Sequence, residues 1–369
     1  MNRHETDVLI AGGGPAGLST AIAARQRGLR VVVADSARPP IDKACGEGLM
    51  PDSLEALSEL GITLEGVETG VFRGIRFLGE RDSVQAFFPR GVGRGIRRTV
   101  LHAALVERAN ELGASLRWGT RIETRTGVVT LDGERVGYKW LVGADGSESS
   151  IRRFAGLDTG TAYERRVGLR RHFKVCPWSE FVEIYWGEDF QAYVTPIAAD
   201  QICVAVIARR RLESFEHAIA RFPGLKHKLT AAPVYTTVKG AVTVSRHFPA
   251  VTTARVALIG EASGSVDALT GEGLAMCFRQ AVALGRALAS DDLSGYEREH
   301  RKIMRLPQVM GRAMLLMDRN PWIRTHSLRA LSARPQIFDR MLSVHVGAVP
   351  LTKFGFGTAL NLGWQMLTA

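Results

Sequence analysis

Residues 6–36, TDVLIAGGGPAGLSTAIAARQRGLRVVVADS, predict the fold class of this chain. The apolar run 8–10 indicates a buried strand, and a glycine-rich turn follows it. A helix then begins at Pro15, where the missing N–H is tolerated, and Gly28 ends it. The run RVVVAD gives a second buried strand that ends at Asp35. This order of strand, helix and strand predicts a βαβ unit with a parallel sheet, and therefore an α/β protein with a Rossmann-like domain.

The glycine-rich turn of this unit predicts a dinucleotide site. In the pattern Gly12-x-Gly14-x-x-Gly17, the first glycine permits a tight turn, the second lets a pyrophosphate approach the backbone, and the third lets helix and strand pack closely. The N–H groups at the helix N-terminus bind the phosphate charge, and Asp35 accepts a hydrogen bond from a ribose hydroxyl. The predicted cofactor-binding residues of this unit are Gly12, Gly14, Pro15, Ala16, Gly17, Asp35 and Ser36.

Two later motifs, each directly after a strand, indicate which dinucleotide is bound. They are LVGADGSESSIRR at 141–153 and VALIGEASGSVDALTGEGL at 256–274. With the first motif, they resemble the flavoprotein superfamily of aromatic hydroxylases, flavin halogenases and geranylgeranyl reductases, over about residues 5–290. The resemblance implies FAD as the cofactor. One departure is Glu261, which stands where the superfamily usually has aspartate after the first glycine of its late motif.

The resemblance also implies roles for individual residues. Arg98 matches the arginine along the FAD pyrophosphate, Asp145 matches the acidic residue beside the FAD, and Asp267 matches the aspartate that contacts the ribityl chain. The helix N-terminus at 271–273 faces the flavin pyrimidine in this resemblance, where its N–H groups stabilise negative charge. The further cofactor-binding residues are Arg98, Asp145, Gly260, Glu261, Asp267, Gly271, Glu272 and Gly273.

The loop DKACGEGLMP, residues 42–51, resembles the geranylgeranyl reductase branch most. That resemblance places the loop over the flavin on the substrate side, with Lys43, Ala44, Cys45 and Gly46 as cofactor-binding residues. Cys45 is a candidate catalytic thiol whose thiolate the charge of Lys43 favours, so both are predicted catalytic residues. The alternative is a small residue in a glycine-rich turn. The four cysteines are widely spaced and form no CxxC pair, so no metal site is predicted.

Three functions remain open at this level. In the first, a monooxygenase uses O₂ to hydroxylate a hydrophobic polyketide-, aromatic- or prenyl-type molecule. In the second, a reductase adds hydride to a C=C bond of a prenyl or related lipid, and in the third the chain binds flavin without catalysis. No second βαβ unit is evident, so NADPH or NADH is expected to dock transiently, with arginines such as Arg97, Arg170 or Arg171 helping to hold it. Aromatic residues that either line the cavity or form sheet core are Trp178, Phe181, Tyr185, Trp186, Phe190 and Tyr193.

The strand and helix patterns divide the chain into three parts. A discontinuous FAD-binding domain is split by an inserted, mostly antiparallel sheet domain for substrate, and a helical region follows. Within the first part, DSLEALSELG predicts a helix with capping-box spacing between Asp52 and Glu55. The predicted segments are 1–75, 96–160 and 251–295 for FAD, 76–95 and 161–250 for substrate, and 296–369 for the helical region.

Composition limits the partners. The net charge is +11, but the arginines are not interleaved with aromatic residues, so nucleic acid is not predicted. The N-terminus has no basic start followed by an apolar run, so a cytoplasmic protein with reduced thiols is expected. After Arg340 the one Lys, Arg, Asp or Glu is Lys353. This tail packs on the protein surface, or forms a substrate lid or an interfacial membrane contact, and the basic surface leaves an acidic carrier protein as a further partner.

Overall fold

The computed structural model describes residues 5–125, 128–209 and 212–350. Its strands are β1 (Thr6–Ala11), β2 (Val31–Asp35), β3 (Gly48–Leu49), β4 (Gly70–Phe72), β5 (Gly74–Leu78), β6 (Ser83–Phe87), β7 (Gly93–Gly95), β8 (Ser115–Trp118), β9 (Ile122–Arg125), β10 (Val128–Leu131), β11 (Glu134–Arg135), β12 (Tyr138–Gly143), β13 (Thr161–Lys174), β14 (Phe181–Trp186), β15 (Phe190–Ala198), β16 (Gln201–Ala208), β17 (Lys239–His247) and β18 (Val256–Leu258). Its helices are α1 (Pro15–Arg25), α2 (Pro51–Glu59), α3 (Arg98–Glu111), α4 (Ser150–Phe154), α5 (Phe215–Ala220), α6 (Pro223–Leu229), α7 (Gly273–Ala289), α8 (Leu293–Arg319), α9 (Pro321–Ala333) and α10 (Pro335–His345).

A five-stranded parallel sheet in the order β18-β12-β1-β2-β8 confirms the predicted Rossmann-like unit. Strand β1 is buried and central, as its apolar sequence requires. Helices α1 and α7 pack so closely that a Cβ on Gly285 would lie 2.7 Å from the Cβ of Ala23. Because all five strands run parallel, the segments after β1, β2, β12 and β18 meet at one edge of the sheet. The three sequence motifs therefore converge there.

A second sheet of seven strands, in the order β17-β13-β16-β15-β14-β5-β6, is mostly antiparallel, as predicted. The exception is the parallel pair of β14 and β5. Strand β5 begins at Gly74, two residues before the predicted segment 76–95, because the chain joins this sheet directly after β4. One face of the sheet is covered by α5 and α6 through Phe215, Phe222 and Leu225. The domain boundaries themselves remain predictions.

The C-terminal helices cover one end of the second sheet. Leu315, Leu328 and Phe338 pack in one buried cluster with Phe77 and Trp186 of the sheet. The helical region that the sequence predicts is thus present up to α10, and the rest of the tail, 351–369, lies outside the described residues. Within the described ranges, no helix combines the length and apolar character needed to cross a membrane.

The start of α2 corrects the predicted capping box. The helix begins at Pro51, and its N-cap Met50 offers no side-chain hydrogen bond. Asp52 therefore lies inside the first turn, where its buried carboxylate forms a 2.6 Å ion pair with Arg279 of α7. The prediction was wrong because an acidic residue at this spacing serves equally well as a tertiary ion-pair partner.

Candidate functional site

One cavity of about 760 Å³ lies between the carboxyl edge of the parallel sheet and the open face of the seven-stranded sheet. Loop 42–48 and all three sequence motifs contribute to its lining. The predicted site residues that line it are Gly12, Gly14, Pro15, Ala16, Asp35, Ser36, Lys43, Ala44, Cys45, Gly46, Arg98, Asp145, Gly260, Glu261, Asp267, Gly271, Glu272 and Gly273. Residues separated by more than 200 positions thus share one surface.

The glycines of the first motif meet different demands. Gly12 has a φ of 109°, and a Cβ there would lie 2.3 Å from the carbonyl oxygen of Ala144. Gly17 is not part of the lining, since its α-carbon faces Gly12, whose carbonyl oxygen would lie 1.8 Å from an added Cβ. Around Gly14, by contrast, no atom lies within 4 Å of such a Cβ. The backbone at Gly14 is therefore open for a close ligand, while Gly12 and Gly17 serve the packing of strand and helix.

Two residues that sequence reasoning missed hold this turn in place. A Cβ on Gly13 would lie 2.2 Å from the ring of Trp118, so the middle glycine is also constrained. The buried ring of His102, from α3, hydrogen-bonds the carbonyl oxygen of Gly13 through Nε2 at 2.9 Å. The carboxylate of Asp35 accepts hydrogen bonds from the N–H groups of Gly13 and Ala37, each at 2.7 Å. No pattern in the sequence links Trp118 or His102 to the turn.

The cavity carries free donors where the pyrophosphate of FAD is expected. Nε of Arg98 is buried and has no hydrogen-bond partner among the described residues, although the side chain lines the cavity. Beside Gly46, Gly271 and Gly273 an added Cβ would again meet nothing within 4 Å. An unpartnered guanidinium and exposed backbone beside a helix N-terminus form a donor set that suits an anionic, extended cofactor. The residues present therefore fit FAD.

Asp145 uses its carboxylate to build the loop beside the cavity. Oδ2 accepts hydrogen bonds from the N–H groups of Ser150 and Ile151, at 2.7 and 3.2 Å, and Oδ1 accepts one from the hydroxyl of Ser149. These contacts satisfy N–H groups at the start of α4. The residue thus lies beside the cavity, and its carboxylate stabilises the turn there.

Asp267 is held in a buried ion pair. Its Oδ2 lies 2.7 Å from Nε of Arg166, and its Oδ1 accepts a hydrogen bond from the N–H of Leu269 at 3.0 Å. Burial raises the pKa of Asp267, and the positive charge of Arg166 opposes that rise. Because both oxygens have protein partners, the contact with the ribityl chain stays a prediction for this residue.

The surroundings of Lys43 and Cys45 do not favour the predicted activation of the Cys45 thiol. Nζ of Lys43 lies 2.8 Å from Oε2 of Glu261, so its charge is paired with a carboxylate. Burial raises the pKa of the Cys45 thiol, and the charge of Arg98 only partly offsets that effect. This geometry therefore argues against a thiolate favoured by Lys43, and the catalytic roles of the two residues stay predictions. The pair between Lys43 and Glu261 instead joins the loop to the late motif, and a longer glutamate side chain serves this contact.

Glu47 is the main residue of the loop that sequence reasoning passed over. It is buried in spite of its charge, and its φ of 60° is unusual for a residue other than glycine. Oε2 accepts a hydrogen bond from Nε2 of His172 at 2.6 Å, and Oε1 accepts one from the N–H of Arg98 at 2.9 Å. The carboxylate thus fastens the loop to β13 and to the start of α3. Its position between two glycines was the available signal.

Glu47, His172 and Cys203 also place three potential metal ligands within 4.8 Å of one another. Both oxygens of Glu47 already accept hydrogen bonds, and Nε of the buried Arg170 lies 3.8 Å from Oε1. This guanidinium repels a cation, and so we interpret the group as a hydrogen-bonded cluster.

The arginines suggested for NAD(P)H are placed very differently. Arg170 is buried and forms an ion pair with Asp42, and Arg171 forms one with Glu216 of α5 on the other face of the sheet. Each of these two guanidinium groups already has a carboxylate partner, although Nε of each has no hydrogen bond among the described residues. Arg97 lies directly before α3, next to the cavity-lining Arg98, and its guanidinium lies over the ring of Tyr235, 5.3 Å from the ring centroid.

The open face of the seven-stranded sheet gives the cavity an apolar wall. Neighbouring strands contribute Ile75, Val182, Ile184, Ala205 and Ile207.

Among the aromatic candidates, Tyr193 lines the cavity, and its hydroxyl donates a hydrogen bond to the carbonyl oxygen of Leu269 at 2.9 Å. The other candidates do not line the cavity and belong to the sheet core or its edges. They are Trp178, Phe181, Tyr185, Trp186 and Phe190.

Comparisons with known proteins agree with this geometry. The family model described as FAD binding domain matches residues 5–295. A menaquinone reductase from Mycolicibacterium smegmatis is 34% identical over 41% of this chain and 40% of its own length. A rifampicin monooxygenase from Streptomyces venezuelae is 30% identical over 41% of this chain and 34% of its own length. The chain therefore spans well under two thirds of these relatives.

The fold also matches a solved structure along nearly its whole length. A flavoprotein/dehydrogenase from Cytophaga hutchinsonii superposes with a TM-score of 0.82 at 17% identity, covering 99% of this chain and 100% of the other. At this identity the likeness concerns the fold alone.

Proposed function

This chain belongs to the FAD-binding domain family, and from that premise we propose that it is a monooxygenase that hydroxylates a hydrophobic small molecule. The observation that carries the proposal is the single cavity, in which the dinucleotide motifs and an apolar sheet face share one space. The similarity to a rifampicin monooxygenase supports oxygen chemistry. The apolar wall favours a polyketide-, aromatic- or prenyl-type substrate.

The chain's own residues prepare this cavity for cofactor and substrate. The open backbone at Gly14 and the free donors of Arg98 would hold the pyrophosphate, and Asp35 would hold the adenosine ribose. The N-terminus of α7 would stabilise negative charge on the cofactor. When bound, FAD supplies the two-electron redox chemistry that links NAD(P)H oxidation to substrate oxidation. The apolar wall excludes water from the space beside it.

NADPH or NADH is the proposed reductant, docking transiently at the same cavity. Arg97 remains the candidate for holding its phosphates, because the guanidinium groups of Arg170 and Arg171 have carboxylate partners. An Arg97→Gln variant is expected to raise the KM for NAD(P)H with little effect on FAD affinity. An unchanged KM would remove Arg97 from this role.

Reduction of a C=C bond is the second candidate function. The similarity to a menaquinone reductase favours it, as does the loop at 42–51 beside the cavity. Cys45 and Lys43 line the cavity, and in both functions we propose that they lie beside the substrate, with Cys45 as a neutral thiol.

Product mass under air and under anaerobic conditions separates the candidates. Purified FAD-loaded protein is incubated with NADPH or NADH and a panel of aromatic, polyketide and prenyl-quinone compounds. We expect a product heavier by one oxygen that forms only under air. A product heavier by two hydrogens that forms without O₂ would establish the reductase. NAD(P)H oxidation that no compound stimulates would favour a flavin-binding protein without catalysis.

The proposals on location and on further partners rest on the sequence alone. A cytoplasmic protein remains the proposal. A peripheral membrane contact would depend on the tail at 351–369, which lies outside the described residues, and a carrier-protein contact would depend on the basic surface.

A further inference from the structure

A carboxyl oxygen and an imidazole nitrogen, both without a hydrogen-bond partner among the described residues, face each other at the wall of the cofactor cavity. Glu272, directly before α7, is 1% exposed, and its Oε2 has no hydrogen-bond partner in the part of the chain that the structure describes. The same holds for Nδ1 of His345, the last residue of α10, which is 7% exposed. These two atoms lie 3.8 Å apart. A buried polar atom without a hydrogen bond costs free energy, so a hydrogen bond between these two neighbouring atoms would be stabilising.

The other charged groups around this pair come from α2 and α7. Asp52 of α2 pairs with Arg279 of α7 at 2.6 Å, which leaves its Oδ1 buried and without a partner among the described residues. Asp52 and Arg279 largely neutralise one another. A second negative charge on Glu272 would therefore have no counter-charge of its own.

The positions of the unpaired atoms indicate where the proton lies. Nδ1 is the ring nitrogen of His345 that faces Oε2 of Glu272, and it has no hydrogen-bond partner among the described residues. Nδ1 of a neutral imidazole is then an acceptor. Burial lowers the pKa of His345. Burial, together with the negative charge of Asp52, raises the pKa of Glu272 to about 8. At neutral pH the acid is thus protonated and the imidazole neutral.

We propose that Glu272 holds a proton on Oε2 and donates it to Nδ1 of His345, so that α10 positions the N-terminus of α7 in the cofactor cavity. The 3.8 Å separation closes by rotation of the carboxyl group, whose terminal torsion is broad. Through Nδ1, His345 then holds Glu272, the residue directly before α7. His345 and Glu272 are positioning residues, and the inference applies to either candidate reaction.

The proton on Glu272 also matters for the charge of the site. A neutral acid leaves the positive end of the α7 dipole available to an anionic cofactor, whereas a carboxylate would compensate it. Loss of the proton above about pH 8 should therefore weaken cofactor binding. The expected loss is about fivefold in Kd, the scale of a charge near a helix terminus.

FAD affinity as a function of pH tests this consequence. FAD fluorescence quenching is titrated with apoprotein at pH 6.5, 7, 8 and 9. The wild type should lose FAD affinity between pH 7 and 9. The amide of Glu272→Gln donates to Nδ1 without ionising, so the Kd of this variant for FAD should change by less than about twofold over the same pH range. Glu55→Gln, an exposed change on α2, should behave like the wild type. An equal loss of affinity in wild type and Glu272→Gln would overturn the proposal.

A pair of substitutions at His345 tests the positioning role. His345→Gln keeps an acceptor for the proton of Glu272 and should bind FAD within about twofold of the wild type at pH 7. His345→Leu removes the acceptor and should weaken FAD binding about fivefold, the loss of one hydrogen bond. Equal affinities in both variants would show that the bond does not position α7.

Infrared titration of the apoprotein observes the proton without cofactor or turnover. The wild type should show a protonated carboxylic-acid C=O band at pH 7 that disappears as pH passes 8 to 9. Glu272→Gln should lack this band, and Asp52→Asn should keep it. A band retained in Glu272→Gln and lost in Asp52→Asn would assign the proton to Asp52 and refute the proposal.

Discussion

Nε of Arg166 lies 2.7 Å from Oδ2 of Asp267, and both side chains are almost fully buried. Asp267 belongs to the late cofactor motif, whereas Arg166 belongs to β13 of the seven-stranded sheet. Nη2 of the same guanidinium lies 2.6 Å from Oδ2 of Asp318, near the end of α8. One arginine thereby joins the cofactor loop, the sheet and the C-terminal helices.

Replacement of this arginine should be strongly destabilising. Arg166→Met leaves Asp267 and Asp318 as two buried carboxylates without their common partner. We expect the free energy of unfolding to fall by about 3–5 kcal/mol, the cost of breaking a buried ion pair by removing one side. Urea unfolding followed by circular dichroism measures it.

The matched control is Arg165→Met, one position away on the same strand but exposed. Its free energy of unfolding should change by less than about 0.5 kcal/mol. Similar losses in the two variants would mean that the buried pairs contribute nothing specific.

Adjacent glycines of the first motif should separate folding from cofactor binding. Gly13→Ala must displace Trp118 and should lower the free energy of unfolding of the apoprotein by about 1–3 kcal/mol. Gly14→Ala meets no protein atom within 4 Å, so the apoprotein should keep its melting temperature. Its methyl group occupies the approach of the pyrophosphate, and FAD affinity should fall about tenfold or more. A destabilised Gly14→Ala apoprotein would contradict the assignment of Gly14 to the ligand.

Cys45 should react slowly with alkylating agents at neutral pH. Burial raises the pKa of its thiol, and the thiolate is the nucleophile. In apoprotein treated briefly with iodoacetamide at pH 7, peptide mass mapping should find Cys176, which is exposed, modified before Cys45. Faster modification of Cys45 than of Cys176 would contradict this prediction and would support an activated thiolate at Cys45.

His300 should make stability depend on pH on the acid side. Its ring is buried, with Nε2 at 3.0 Å from the hydroxyl of Ser263, and burial lowers its pKa to about 4 from 6.5. Between these values the folded chain binds fewer protons than the unfolded chain, so the free energy of unfolding falls as pH falls from 6.5 to 4. The melting temperature of His300→Gln should therefore vary less with pH between 6.5 and 4 than that of the wild type.

The control for this prediction is His227→Gln on α6, an exposed histidine. Its melting profile between pH 7 and 4 should follow that of the wild type. If His300→Gln also follows the wild type, the buried imidazole is not the group responsible.

The sequence alone determined the βαβ unit and the three cofactor motifs. These features depend on local periodicity and on glycines at fixed spacing, which a single segment of chain carries within itself. Gly17 illustrates this, because its close contact is with Gly12 of the same turn. The parallel sheet follows from the same segment, since a strand, a helix and a strand of these lengths leave few other arrangements.

Tertiary structure decided which partner each charged residue takes. Lys43 pairs with Glu261, more than 200 residues away, and so does not serve the neighbouring Cys45. Asp52 and Glu55 have the spacing of a capping box, yet the carboxylate of Asp52 forms an ion pair with Arg279. Such pairs depend on distances between elements that are remote in the chain, and a side chain several bonds long can reach many alternatives. Only the packing of the two sheets and the C-terminal helices selects among them, as it does for Glu272 and His345.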